Sequence, residues 1–339
     1  MSDKPSYDLL CMGRSCIDLY SNDIGAPFEE ITGFSAFVGG CPTNISTAAR
    51  RLGVKSSLFT GVGEDPVGDF ILHFLDNEGI DRRYTVRKPG RRSSAVILGI
   101  EPPDKFPLVY YRDNCADIAL TIEDVQEIPI ERFKALLISG TGLSLDPSRS
   151  ATAYAAEVAS ENGVAVFLDV DFRADQWPDV QTFGAAVRSV LPSVDYVIGT
   201  DTEIKAAAYK GSGKAEIEHS QVNESTVEAD LLESIHTLLG KGPKRLFQKS
   251  GTDGCFIFEQ GGGEKIHVPG FPVEVVNTLG AGDGFAGGLM YGFLNGWEWY
   301  KAARFANACG AYLVTQHGCA NFMPTQDDIQ TFLNNHGGL

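Results

Sequence analysis

The second half of the chain alternates between two periods. Apolar runs at residues 135–139, 164–169 and 196–199 are each followed by a stretch with helical spacing, at about 147–162, 180–190 and 203–209. Alternation of this kind predicts a mostly parallel sheet with helices on both faces. The first half joins the same pattern. Residues 7–12 read as a buried strand, 45–52 as a helix, 57–62 as a strand, and Asp65-Pro66 opens a helix that Gly79 closes. Strands are expected again at 245–249 and 255–259, a β-like run at 271–276, a helix at 285–294, and the last long helix at 301–314. The expected fold class is α/β, read as one domain over 1–339. In such sheets ligands bind beyond the carboxyl ends of the strands. Two pieces do not alternate, about 14–40 and 92–115, the second with strands at 94–100 and 108–112 around a Pro-rich turn at 101–107. These are expected to form a small β-sheet projecting from the core as a lid. Residues 209–228 read as a polar loop. Gly211-Ser212-Gly213-Lys214-Ala215 within it lacks the Gly-x-x-x-x-Gly-Lys-[Ser/Thr] spacing and a preceding strand, so it is not read as a phosphate loop.

Charge narrows the partners. Asp and Glu number 44 against 28 Lys and Arg, a net of −16, which argues against nucleic acid and anionic membranes. No apolar run is long enough to span a bilayer, and the polar N-terminus does not resemble a signal peptide. The seven cysteines are scattered without Cys-x-x-Cys spacing, and a reducing cytoplasm is the simplest account. The six histidines form no metal-binding pattern.

The densest chemistry lies at Asn277-Thr278-Leu279-Gly280-Ala281-Gly282-Asp283, between the β-like run and a helix of small residues. Gly280, Ala281 and Gly282 fall at a helix N-terminus, where unpaired N–H groups and the helix dipole favour an anion such as phosphate. Asp283 in that anion site reads either as a capping acid or as a base that takes a proton from a hydroxyl attacking the phosphate. A second Gly-rich element, Gly39-Gly40-Cys41-Pro42-Thr43-Asn44, reads as a turn, or as a place where backbone and Asn44 meet a polar ligand. Arg112, in Tyr110-Tyr111-Arg112-Asp113-Asn114-Cys115-Ala116-Asp117, and Arg173, in Asp169-Val170-Asp171-Phe172-Arg173, either pair with neighbouring acids or together grip a substrate carboxylate.

The two Gly-rich elements, about 240 residues apart, resemble the two signatures of the ribokinase-like (PfkB) carbohydrate kinases. The likeness extends over essentially the whole chain. It implies an ATP-dependent sugar kinase with Asp283 as catalytic base and Gly280, Ala281 and Gly282 as anion hole. It further implies that Lys249, Ser250, Gly251 and Gly254 lie beside the ATP phosphates, that Asn307 lies near the adenine, and that Asp18, Gly39, Gly40 and Asn44 meet the sugar hydroxyls. Glu203 is expected to organise Mg²⁺ through water, although Thr200 stands where the family usually has Asn. Asn277 stands where many members have Asp, which weakens the case for a monovalent cation. The two Arg-bearing stretches resemble the family's sugar-acid kinases, so Arg112 and Arg173 imply a sugar acid over a neutral sugar. Association of lids implies a homo-oligomer, with a dimer favoured. The alternatives are a nucleotide or sugar sensor without turnover, and a dinucleotide oxidoreductase, for which Gly61-Val62-Gly63 does not complete the fingerprint.

Overall fold

The computed structural model describes residues 7–101, 106–211, 215–216 and 226–339. The first part of the chain runs β1 (Tyr7–Met12), β2 (Cys16–Ser21), β3 (Phe34–Gly39), α1 (Cys41–Arg51), β4 (Ser56–Phe59), β5 (Gly61–Gly63), α2 (Pro66–Glu78) and β6 (Val86–Lys88). It continues through β7 (Ser94–Leu98), β8 (Leu108–Tyr111), α3 (Ile122–Gln126), β9 (Phe133–Ser139), α4 (Ser148–Glu161), β10 (Ala165–Asp169), α5 (Val180–Val190), β11 (Tyr196–Thr200) and α6 (Asp201–Ala208). The last part comprises β12 (Ala215–Glu216), β13 (Thr226–Val227), α7 (Leu231–Leu239), β14 (Arg245–Lys249), β15 (Cys255–Glu259), β16 (Ile266–Val268), α8 (Ala281–Leu294), α9 (Trp299–Leu313) and α10 (Gln326–Asn335).

Eight strands form the central sheet in the order β16-β15-β14-β11-β10-β9-β1-β4. From β4 to β14 every pairing is parallel; β15 and β16 close the edge antiparallel. Because successive side chains point to opposite faces, each strand feeds two cores. Leu9, Cys11 and Leu137 pack with Ile45, Ile71, Phe285 and Ala303 of α1, α2, α8 and α9. Leu10, Met12 and Leu136 pack on the other face with Ala151, Val187 and Leu238 of α4, α5 and α7. Helices therefore cover both faces, as the alternation requires. A separate four-stranded sheet, β3-β2-β7-β8, is built from the two segments that do not alternate.

The small residues of α8 set how closely its neighbours approach. A Cβ at Gly287 would overlap that of Ala48 in α1, and one at Gly288 would lie 2.8 Å from Cys309 Sγ in α9. The helix that carries the Gly-rich element is thus held between two others at close range. Its N-terminus is fixed by packing along its length.

The structure departs from the sequence reading in several places. Residues 271–276 form no strand: Val276 and Asn277 donate their N–H groups to Val314 O at the end of α9 instead. The run is apolar because Phe271 enters a core beside α9 and α10 while Val273 and Val275 line a cavity. The helix at 301–314 is not the last long one, since α10 follows, started by a capping box between Thr325 and Asp328. The strand expected at 57–62 is divided between β4 and β5 in different sheets, the described ends of the loop expected at 209–228 pair as β12 and β13, and α3, α7, β6 and β16 have no counterpart in the sequence reading. The parts of the Pro-rich turn at 102–105 and of the Gly-rich loop at 212–214 lie outside the described residues. All seven cysteines are buried thiols.

Candidate active site

Helix α8 begins where it does because Gly280 takes φ +79°, a left-handed conformation that side chains resist. Ala281, Gly282 and Asp283 then form the first turn; the Ala281 N–H turns back to Thr278 O at 3.3 Å, while those of Gly282 and Asp283 have no partner among the described residues. They face a cavity of about 910 Å³, reached from the carboxyl ends of β10, β11 and β14. Asp283 lines it. Burial, with Asp171 nearby, raises the Asp283 carboxyl to about 6 from 3.8, against the opposing pull of Asn44, Arg173 and Lys249.

Asn44 Nδ2 donates to Asp283 Oδ2 at 2.7 Å, so the two Gly-rich elements meet across 239 positions of sequence. Asn44 Oδ1 is buried with no partner among the described residues, an acceptor left for a hydroxyl. The turn before it requires glycine: Gly40 has φ +104°, and a Cβ there would overlap the Arg14 carbonyl oxygen. A Cβ at Gly39 would overlap the Asp18 carboxylate, which is itself buried and accepts from Cys16 Sγ at 3.0 Å. Burial raises the Asp18 pKa, although Arg14 and Arg173 act the other way. Of the residues expected to meet a sugar, Asn44 touches Asp283, while Gly40 packs on Arg14 and Gly39 on Asp18; none of the four lines the cavity itself.

Lys249 ends β14 with its Nζ 3.4 Å from Asp169 Oδ2 and 3.6 Å from Glu203 Oε2. A Cβ at Gly282 would lie 2.9 Å from that same nitrogen, which places the ammonium beside the first turn of α8. Burial disfavours this ammonium, but Asp169, Glu203 and Asp283 outweigh it and hold its pKa above the ordinary value. Burial likewise pushes the Asp169 carboxyl upward despite Lys249. Thr200 and Glu203 form a capping box, in which Thr200 Oγ1 accepts from Glu203 N at 3.4 Å and Glu203 Oε2 accepts from Thr200 N at 2.7 Å. Threonine caps α6 as asparagine would, so the substitution leaves Glu203 in position at the cavity wall. Ser250, Gly251 and Gly254 line the same wall between β14 and β15. Asn307 Nδ2 donates to Val268 O and Pro269 O, both at 2.9 Å, and ties α9 to that edge.

The two arginines differ. Arg173 Nη2 pairs with Asp171 Oδ1 at 3.0 Å, and the side chain lines the cavity. Arg112 is buried and fully engaged. Its Nε donates to Asp117 Oδ2 at 2.7 Å, Nη1 to Ser144 Oγ at 2.9 Å, and Nη2 to Thr141 O at 3.1 Å. Of the two open readings for Arg112, the ion pair is the one formed in this geometry. Sequence reasoning missed Asp169 as a cavity residue, although an acid closing a buried strand on the ligand side was a usable signal. It gave Arg14, in Gly13-Arg14-Ser15, no role, because its surroundings come from three separate segments.

An unpaired helix terminus with an acid seated in its first turn, opening on a large cavity at the strand ends, is the arrangement of a phosphotransfer enzyme. Comparison with known proteins specifies it further. Residues 7–326 match the profile of the pfkB family of carbohydrate kinases. A 5-dehydro-2-deoxygluconokinase of Geobacillus thermodenitrificans is 34% identical over 332 residues, covering 98% of this chain and 94% of that one. A fructokinase of Vibrio cholerae, solved with fructose, ADP and potassium, superposes with a TM-score of 0.80 at 24% identity, covering 98% and 99% of the two chains. An E. coli protein described as a ribokinase II, solved with ATP and Mg²⁺, gives 0.84 at 23% identity, covering 97% and 100%. These likenesses show a ribokinase-like fold. The chain belongs to the pfkB family of carbohydrate kinases.

Proposed function

We propose that this kinase transfers the γ-phosphoryl group of ATP to the primary hydroxyl of 5-dehydro-2-deoxy-D-gluconate, giving 6-phospho-5-dehydro-2-deoxy-D-gluconate in myo-inositol catabolism. The observation that carries the phosphotransfer is the position of Asp283, in the first turn of α8 and hydrogen-bonded to Asn44. The choice of sugar acid is supported by the 34% identical relative of that name and by Arg173 at the cavity wall.

In this reading Asp283 accepts the proton of the primary hydroxyl as its oxygen attacks the γ-phosphorus. A carboxylate raised to about 6 is ionised at neutral pH and is a stronger base than an ordinary aspartate. Asn44 holds that carboxylate through Nδ2 and offers its unpaired Oδ1 to a second hydroxyl of the sugar, with Asp18, Gly39 and Gly40 beside it. The anion hole is the turn of Gly280, Ala281 and Gly282: the N–H groups of Gly280 and Gly282 are unpaired among the described residues and available to the charge that spreads over the transferring phosphoryl oxygens, and that of Ala281 would have to leave Thr278 O to join them. Lys249 supplies a positive charge beside Gly282, and Ser250, Gly251 and Gly254 form the wall along the phosphate chain. Asn307 completes the far end, toward the adenine.

The cavity suits Mg-ATP: it combines about 910 Å³ of space with a cation, a helix N-terminus and the carboxylates of Asp169 and Glu203. When bound, Mg²⁺ would neutralise charge on the phosphates, with Glu203 holding it through water. The β3-β2-β7-β8 sheet acts as a lid that excludes water. We further infer a single kinase domain, a cytoplasmic location consistent with seven buried thiols, and a dimer. The test is ADP formation with 5-dehydro-2-deoxygluconate, 2-keto-3-deoxygluconate and fructose in parallel. The highest kcat/KM is expected for the first. Preference for 2-keto-3-deoxygluconate would replace the substrate within the sugar acids, preference for fructose would remove the acid altogether, and ATP binding without turnover would make the protein a sensor.

A further inference from the structure

Arg14 is buried, 6% exposed, yet no carboxylate lies within ion-pair distance of it among the described residues. Among the described residues the one hydrogen-bond partner of its side chain is Cys16 Sγ, 3.1 Å from Nη1, and sulfur is a weak acceptor. The guanidinium carbon stands 5.2 Å from the centroid of the Tyr110 ring. A guanidinium has five donors, so most of the hydrogen-bonding capacity of this cation is unused by the protein. A buried charge left so is costly unless an anion completes it.

The acids nearest in electrostatic effect are Asp18 and Asp171, Asp175 also feels its charge, and none of the three forms an ion pair with it. Asp18 Oδ1 accepts from Cys16 Sγ; Asp171 takes Arg173 on Oδ1 and Thr141 Oγ1, at 2.9 Å, on Oδ2. Arg14 does not itself line the cavity but stands directly behind its wall, over the ring of Tyr110. Its carbonyl packs against Gly40, directly before the turn that carries Asn44, and the Tyr110 ring beneath it lines the cavity together with Arg173.

We infer that Arg14, with Tyr110 and Arg173, forms the subsite that recognises the carboxylate of the sugar-acid substrate. The inference rests on the sugar-acid reading above and moves the recognition of the acid from Arg112, whose nitrogens are all engaged, to a residue to which the sequence assigned no role. Arg14 gives the substrate anion a partner with two parallel donors, and Tyr110 keeps the guanidinium plane fixed while the pocket is empty. A neutral ketose entering the same place would leave the cation unpaired, so the subsite selects against it as well as for the acid.

The test compares wild type, Arg14→Met and Arg14→Lys. KM is measured for 5-dehydro-2-deoxygluconate and for Mg-ATP, together with the thermal shift that each ligand produces. Arg14→Met is expected to raise the KM for the acid about 100-fold and to abolish the thermal shift it causes, as loss of a charge-assisted pair does. The KM for Mg-ATP should stay within about twofold, and a merely structural role for Arg14 would not separate the two ligands in this way. Arg14→Lys keeps the charge without the fork. It should recover about tenfold of the loss, and it serves as the deciding variant if Arg14→Met does not fold. An unchanged KM for the acid in a variant that binds Mg-ATP normally overturns the inference while leaving the substrate reading intact. A wild-type enzyme that neither binds nor phosphorylates the acid overturns both.

Discussion

Asp283→Asn is the most informative single change. Asparagine has the shape of the carboxylate, and its Oδ1 can still accept from Asn44 Nδ2, so the contact between α1 and α8 survives. What is lost is the base. General bases contribute typically ~10²–10⁴ in rate, and with Asp283 the only acid in the first turn of α8 the upper half of that range is expected, a fall in kcat of about 10³–10⁴. In energy this is roughly 4–5.5 kcal/mol of transition-state stabilisation. Two further readings follow from the raised carboxyl. The wild-type kcat/KM should fall below about pH 6, where Asp283 takes up a proton, and the residual activity of Asp283→Asn should lack that limb. Stability should move the other way. A carboxyl raised from 3.8 to about 6 is disfavoured in its charged form by the fold, so the native state loses stability as pH rises across that interval and stays lower above it. The interval corresponds to at most about 3 kcal/mol, and less in practice because Asp283 is only partly screened from solvent. Asp283→Asn should therefore melt at the same temperature as wild type below about pH 4 and at a higher one at pH 7. The assays are ADP formation between pH 5 and 8 and calorimetry at the two extremes. Retention of more than about a tenth of wild-type kcat, or an acid limb that persists in the variant, would refute the assignment of Asp283 as base.

Three other outcomes are expected. Arg112→Ala leaves the buried Asp117 without its cation and should cost about 3–5 kcal/mol in denaturant unfolding; a variant of wild-type stability with only the acid's KM raised would return Arg112 to the substrate site. Gly40→Ala combines φ +104° with overlap on the Arg14 carbonyl, and should cost on the order of 2–4 kcal/mol, whereas an unchanged melting temperature would show that the turn can relax. Turnover should not depend on potassium: Asn277 Nδ2 donates to His317 O at 3.1 Å, and Val314 O already accepts two N–H groups, so the residues around 277 do not fit a monovalent cation. A fall of more than about threefold when tetramethylammonium replaces potassium would contradict this.

The sequence carried the architecture wherever local chemistry decided it. Strand–helix alternation, the Asp65-Pro66 start with its Gly79 stop, and the small residues of α8 all have local causes, and each element lies within a few residues of its expected place. The run at 271–276 was misread because periodicity does not distinguish an apolar strand from an apolar cavity wall. The Gly-Ala-Gly-Asp element was legible because glycine at a positive φ and an acid among N–H groups both leave a mark in the residue types themselves. Arginines leave no such mark. Whether Arg112, Arg173 or Arg14 is free for a ligand depends on Asp117, Asp171 and Cys16, and which acid captures which cation is settled only by packing.

The contact between Asn44 and Asp283 also constrains how the protein is made. The surface of α1 that receives α8 leaves the ribosome about 239 residues before the helix that covers it. At ~5–20 residues per second, that surface waits roughly 10–50 s for its cover. During that interval β1, β4, β9 and β10 can already pair, but the core on the α1 side lacks Phe285, Leu289 and Met290. The half-made chain exposes an apolar sheet face throughout that interval, and closing it and assembling the reactive centre are one event. A chain that stalls before α8 is therefore a candidate for capture by chaperones or for aggregation.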